Sequence, residues 1–389
     1  MMTAQAEIYL DNAATTKPHP AVVEAMARAL TEEFGNPSSL HGKGLAAERV
    51  LQDARRAVAR TLDVAPEEIV FTSGGTESNS LALRGVVKAL GPARHIVTTA
   101  IEHSSVLTPL RRLAEEGCAV TEVPVDGAGR VSAAQIEAAL RPETILVSVM
   151  AVNNELGSIQ PIEAIGRILR ARGATGRPVY FHVDAVQAWG KIPLRPRQWG
   201  VDLMSLSAHK VHGPKGVGAL YVRRGIHLVP LLGGGDQEGG IRPGTENVPG
   251  IAGLGAAASL ILSEAEETAG RMTGLRDQLR RAIEQLPDVR VNTPADGAAP
   301  HILNVSFAGV RGETLLHRLE MAGIYTSTGS ACHARDPQPS HVLLAIGLPP
   351  EHSRSALRFS LSRFTTPEEI AATGAAVAEA VRELRALIR

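Results

Sequence analysis

Lys210 closes the segment Ser205-Leu206-Ser207-Ala208-His209-Lys210, which follows an apolar run and precedes the turn Gly213-Pro214-Lys215-Gly216-Val217-Gly218. An amine withdrawn from water at the end of a strand can act as a Schiff-base nucleophile, although a lone lysine is more simply a solvated surface group. Asp184 ends the alternating run Phe181-His182-Val183-Asp184 and is followed by Ala185-Val186-Gln187. Open α/β sheets bind ligands at the carboxyl ends of their strands, and a buried acid there needs a cationic partner such as a protonated ring nitrogen. A cap on the following helix is the competing reading.

The segment Ser73-Gly74-Gly75-Thr76-Glu77-Ser78-Asn79 lies between an apolar run and a helical pattern. Small residues let the backbone approach a ligand, and the first N–H groups of a helix favour a phosphate; the same residues also make a plain turn and cap. Cys332 sits in Ser327-Thr328-Gly329-Ser330-Ala331-Cys332-His333, with Pro337 and Pro339 beyond it. Small residues before it and breakers after it point to an exposed loop whose thiol is free to react. Cys118, at a strand start, reads as a small buried hydrophobe. His209 and His212 lack further ligand candidates nearby in sequence, which argues against a metal. Three polar clusters, residues 11–16, 35–41 and 242–247, are dense in donors, but turn chemistry accounts for each taken alone.

The elements that must position these groups follow an α/β pattern. Short apolar runs at 69–72, 95–99, 119–123, 144–149, 179–183, 203–206 and 219–222 read as strands. Helical patterns at 77–90, 104–116, 132–140 and 162–172 alternate with them, which is the habit of a mostly parallel, doubly covered sheet with right-handed crossovers. After about residue 258 the style changes to a long charged helix (260–285), a strand near 302–307 and an amphipathic last helix (367–388). We therefore expect a large cofactor-binding domain at 15–258. A smaller α+β domain at 259–389, joined by residues 1–14, is expected to carry the Cys332 loop. The Gly/Pro-rich stretch 233–250 is too polar for core and too long for a routine connection, so a functional loop is expected there.

The chain has 389 residues and a formal charge of zero, so no global field favours nucleic acid or an anionic membrane. Two cysteines are too few for a disulfide framework and fit a reducing cytoplasm. The N-terminus lacks the basic flank and apolar stretch of a signal peptide. The run 248–262, interrupted by Pro249, Gly250, Gly253 and Gly255, is shorter than the roughly 20 residues of a membrane span and is expected as a buried helix.

In this order, YLDNAATT, FGNPSSLH, FTSGGTES, EHSSVL, VNNELG, HVDAVQ, LSAHK, GPKGVGALYVRR, RPGTEN, GSAC and LRFSLSRFTT resemble the cysteine desulfurase family. This family is a branch of the fold-type I pyridoxal-phosphate enzymes grouped as class V aminotransferases. The resemblance covers Tyr9 to about Thr366 and implies pyridoxal 5′-phosphate as cofactor and L-cysteine as substrate. It implies that Lys210 forms the Schiff-base linkage, Asp184 pairs with the pyridinium nitrogen, Gln187 bonds the phenolic oxygen and His103 stacks on the ring. Gly75, Thr76, Ser207 and His209 are implied to hold the phosphate, and Thr245 to reach the phosphate of a neighbouring subunit in a homodimer. Asn154 and Arg358 are implied to bind the substrate carboxylate.

Cys332 would then take the substrate's sulfur as a persulfide, leave alanine, and pass the sulfur to an acceptor such as an iron–sulfur scaffold protein. GSAC followed by a long segment matches the branch with a long catalytic loop. His333 and Pro243 depart from the usual pattern without removing a catalytic group. Cys-His before a Gln-Pro-Ser stretch is also similar to selenocysteine lyases, which is the alternative. An aminotransferase of the same fold would have no use for Cys332, and a non-catalytic scaffold no use for Lys210, His103 and Arg358 together.

Overall fold

The computed structural model describes residues 7–91, 94–175, 178–329 and 339–387. In chain order its strands are β1 (Ile8–Tyr9), β2 (Ile69–Thr72), β3 (His95–Thr99), β4 (Ala119–Val123), β5 (Thr144–Met150) and β6 (Tyr180–Asp184). They continue with β7 (Leu203–Ser207), β8 (Gly218–Val222), β9 (Val289–Val291), β10 (Ile302–Phe307), β11 (Ile324–Tyr325) and β12 (Ala356–Ser360).

The runs expected as strands form a seven-stranded sheet in the order β2-β8-β7-β6-β5-β3-β4. Strands β3 to β7 pair in parallel, and β8 runs antiparallel to both β2 and β7. Runs such as Thr-Ile-Leu-Val-Ser-Val-Met of β5 are buried along their whole length, because both faces of the sheet are covered. Alternate side chains enter separate cores: Ile69, Phe71, Val97 and Met204 pack on one face, and Val70, Ile96 and Leu203 on the other. Cys118 is buried in the second of these cores, and burial and Glu116 push its thiol pKa up. The expected α/β class, with a mostly parallel, doubly covered sheet, is what the chain adopts.

A second assembly holds the antiparallel sheet β12-β10-β9 and the parallel pair of β1 with β11. Ile8 and Leu10 of the N-terminal segment share its core with Met272, Phe307, Phe359 and Val381. The last helix, Pro367–Ala386, starts with a capping box in which Thr366 and Glu369 exchange side-chain and backbone bonds.

One expectation needs correction. The patterns at 248–262 and 260–285 are not two helices but one, Val248–Glu284, of 37 residues. Pro249 falls in its first turn, where a missing N–H removes no intrahelical bond. Gly255 faces the helix Gly42–Leu62, where a Cβ would come within 2.7 Å of Ala54 Cβ, so the glycine permits close helix packing. By length and composition this helix could cross a membrane, yet Ile251, Leu254 and Ala258 are buried in the main core while Met272, Leu279 and Ile283 serve the second core. The helix thus runs unbroken from the first core, which holds Ala258, to the second, which holds Met272.

Candidate active site

A cavity of about 200 Å³ lies where the chain leaves the carboxyl ends of β2, β3, β5, β6 and β7, the position at which α/β sheets place ligands. Gly75, Thr76, His103, Asn154, Asp184, Gln187, Ser207, His209, Lys210 and Arg358 all border it.

The helix Gly75–Leu90 starts at one end of this cavity, and its N-cap, Gly74, supplies no side chain to the first N–H groups. A Cβ on Gly75 would stand 2.6 Å from Val186 Cγ2, so only glycine lets the helix start this close to the β6 turn. Ser207 and His209 border the cavity with it. Burial, then Lys210 and Lys215, push His209 down to about 4, so it is a neutral donor or acceptor near pH 7. Its Nδ1 lies 3.2 Å from Thr15 Oγ1.

Asp184 is buried, and its two oxygens accept from different donors: Oδ1 from the backbone N–H of Val186 at 3.0 Å and Oδ2 from Asn79 Nδ2 at 2.8 Å. Asn79 Nδ2 also donates to Ser105 Oγ at 2.9 Å. Ser105 Oγ in turn lies 2.8 Å from His103 Nδ1, which accepts the Ser105 backbone N–H at 3.1 Å while capping the helix Ser104–Glu115. A backbone N–H can only donate, so Nδ1 is an acceptor and the proton of the neutral His103 ring sits on Nε2. Directly before it, Glu102 is fully buried; its Oε1 accepts from Thr99 Oγ1 at 2.7 Å and from the Met150 N–H at 2.9 Å. Burial drives the Glu102 carboxyl up to about 8.

Lys210 Nζ donates to the carbonyls of Ala13 and Ala14, at 2.6 and 2.8 Å. The Ala13 carbonyl also accepts from Gln187 Nε2 at 2.9 Å. Arg358, on β12, is buried; it donates from Nη1 to the Asn154 carbonyl at 2.8 Å and from Nη2 to Asp11 Oδ1 at 2.9 Å. Among the described residues its buried Nε has no partner, in a side chain that borders the cavity. An amine, a buried carboxylate, an uncapped helix N-terminus and a guanidinium with capacity to spare fit pyridoxal 5′-phosphate and an amino-acid carboxylate.

Thr245 is exposed in a loop and does not border the cavity. Cys332 and His333 lie outside the described residues. Asn79, Ser105 and Asp11 were not singled out from the sequence, although each stands inside a quoted motif. His301, whose ring contacts Gln187, stood in no motif at all.

Residues 8–372 match the family described as aminotransferase class-V. The chain is 44% identical over 383 residues to cysteine desulfurase IscS of Dictyoglomus turgidum, covering 98% of this chain and 96% of the relative. Among solved structures, it superposes on a NifS-like protein with a TM-score of 0.89 at 39% identity, covering 98% of this chain and 99% of the other. A structure described as SspA in complex with cysteine matches with a TM-score of 0.82 at 38% identity, over 93% of this chain and all (100%) of that one.

Proposed function

Because the chain belongs to the class V aminotransferases and, within them, to the cysteine desulfurase family, we propose a residue-level account of how it removes sulfur from L-cysteine. The chain is a cysteine desulfurase, and L-alanine is the carbon product in the account proposed. Lys210, Asp184, Gln187 and the start of the helix Gly75–Leu90 would hold pyridoxal 5′-phosphate, which would supply an electron sink for bonds at the substrate's α-carbon.

The protein's own groups do the rest. Arg358 and Asn154, which border the cavity, orient the substrate carboxylate. Asp184, kept in place by Asn79 and the Val186 N–H, would set its carboxylate against the cofactor's ring nitrogen. Lys210 Nζ would hold the cofactor, and the same amine would take the proton from the substrate's α-carbon. His103, which borders the cavity, would lie against the cofactor's ring, and its Nε2 proton would serve as a donor there.

Cys332 attacks the substrate sulfur as a thiolate: the substrate C–S bond breaks, an S–S bond forms, and a proton is returned to the carbon skeleton. Cysteine plus one enzyme thiol thus becomes alanine plus one enzyme persulfide. We further propose a homodimer in which Thr245 reaches the partner subunit's cofactor phosphate, and transfer of the persulfide sulfur to an iron–sulfur scaffold protein in the cytoplasm.

The observation that carries this reading is the meeting of Lys210, Asp184 and the uncapped helix start at one cavity. The test is to incubate the purified enzyme with L-cysteine, quantify alanine, and weigh the Cys332 peptide. Wild type is expected to release alanine and to gain one sulfur on Cys332. Lys210→Ala is expected to lose both, together with its visible absorbance band. Near wild-type turnover by Lys210→Ala would overturn the assignment.

A further inference from the structure

His301 is buried at 1% exposure just before β10, and its Nε2 lies 3.2 Å from Gln187 Oε1. The direction of this hydrogen bond is decided from the other end of the Gln187 amide. The Ala13 carbonyl can only accept, so the amide atom 2.9 Å from it must be the NH2 group. The amide oxygen therefore faces His301, and His301 Nε2 must carry a proton. Reversing the amide would set two acceptors against each other at Ala13.

The second ring nitrogen completes the argument. Among the described residues, buried His301 Nδ1 has no hydrogen-bond partner, so a proton there would be an orphaned donor. Burial, and after it the cations Lys191, Arg358, Lys210 and Arg276, hold the pKa of this ring well below the usual histidine range. The ring is thus neutral, with its single proton on Nε2.

We propose that His301 is a positioning residue, which fixes the Gln187 amide so that its NH2 group faces the cavity as a donor. The inference rests on the cofactor reading above. One Gln187 N–H is engaged by Ala13, and the other is left for the cavity that Gln187 borders. There it suits an anionic oxygen, such as the phenolate of the cofactor. The Ala13 carbonyl accepts from Gln187 and from Lys210 Nζ alike, so this amide orientation is tied to the lysine's resting place.

Two measurements on the full-length enzyme test the proposal. In wild type, long-range nitrogen–proton NMR correlations should show the His301 ring protonated on Nε2; protonation on Nδ1 would overturn it. In the cofactor-loaded enzyme, the pH midpoint of the visible-band change should rise by about one unit in His301→Leu, because the phenolate loses one oriented donor and becomes more basic. Gln187→Leu should show a similar rise. His301→Gln, which restores a donor, should stay near the wild-type midpoint. A loaded His301→Leu variant with an unshifted midpoint sinks the proposal. A wild-type protein that takes up no visible band sinks the cofactor reading instead, and the NMR measurement then decides the His301 proton by itself.

Discussion

Asn79 donates from Nδ2 to Asp184 Oδ2 at 2.8 Å, and through the same nitrogen to Ser105 Oγ, so one buried amide ties the acid of β6 to the Ser105–His103 pair after β3. Asp184 and His103 are therefore held as a unit. Replacing Asn79 with Ala should leave Asp184 Oδ2 without its side-chain donor, at a cost of about 1–3 kcal/mol. The expected result is cofactor affinity lower by roughly tenfold or more, read by absorbance titration, with the sheet intact by circular dichroism. Unchanged affinity would show that Asp184 needs no second donor.

Arg358 already spends Nη1 on the Asn154 carbonyl and Nη2 on Asp11. A lysine cannot hold both partners and a substrate carboxylate together. Arg358→Lys is expected to raise KM for L-cysteine on the order of tenfold or more while the visible band of the loaded enzyme persists. Steady-state kinetics with a parallel spectrum separate this outcome from loss of the cofactor.

Cys332→Ser should bind cofactor and L-cysteine yet release almost no alanine, since a hydroxyl supplies little anion near neutral pH whereas a thiol with a pKa of about 8.5 does. Selenocysteine is the informative second substrate. Its weaker bond to carbon and better leaving group should permit product formation by the serine variant. Alanine release from cysteine at the wild-type rate, or a persulfide on buried Cys118, would contradict the assignment.

Glu102 gives a pH prediction. Its folded pKa of about 8 lies above its ordinary value of 4.5, so between these values the folded protein binds more protons than the unfolded chain. Stability conferred by the neutral carboxyl is complete below 4.5 and is lost as pH rises toward 8, at about 1.4 kcal/mol per pH unit. The buried histidines act oppositely at lower pH: His182 and His212 are pushed down to about 3. The measurement is therefore a difference. Wild type minus Glu102→Gln, followed by denaturant unfolding of the cofactor-free protein, should show a downward slope across pH 5 to 8. A flat difference curve would show that Glu102 is not held neutral.

The sequence by itself determined the parts of the molecule that depend on near neighbours. Apolar runs bounded by turn residues marked β2 to β8, because a strand buried on both faces has a local signature. The same runs put Asp184 at a strand end, Lys210 in the short turn just past β7, and Gly74-Gly75 at a helix start, since those positions follow from period and punctuation alone. The apolar run 248–262 and the charged pattern 260–285 read as separate helices because their compositions differ, yet the backbone continues through both, with Pro249 tolerated in the first turn and Gly255 packed against Ala54.

Only the tertiary structure decided which distant groups meet. Lys210 finds the Ala13 carbonyl across 197 residues, Arg358 finds Asp11 across 347, and His301 finds Gln187 across 114. No period within a segment encodes such meetings, because they depend on the sheet order and on the N-terminal segment packing with β12 and β10 in the second core. The proton positions on His103 and His301 belong to the same class. Each is set by a partner that can only donate or only accept, and that partner is known once the chain is folded.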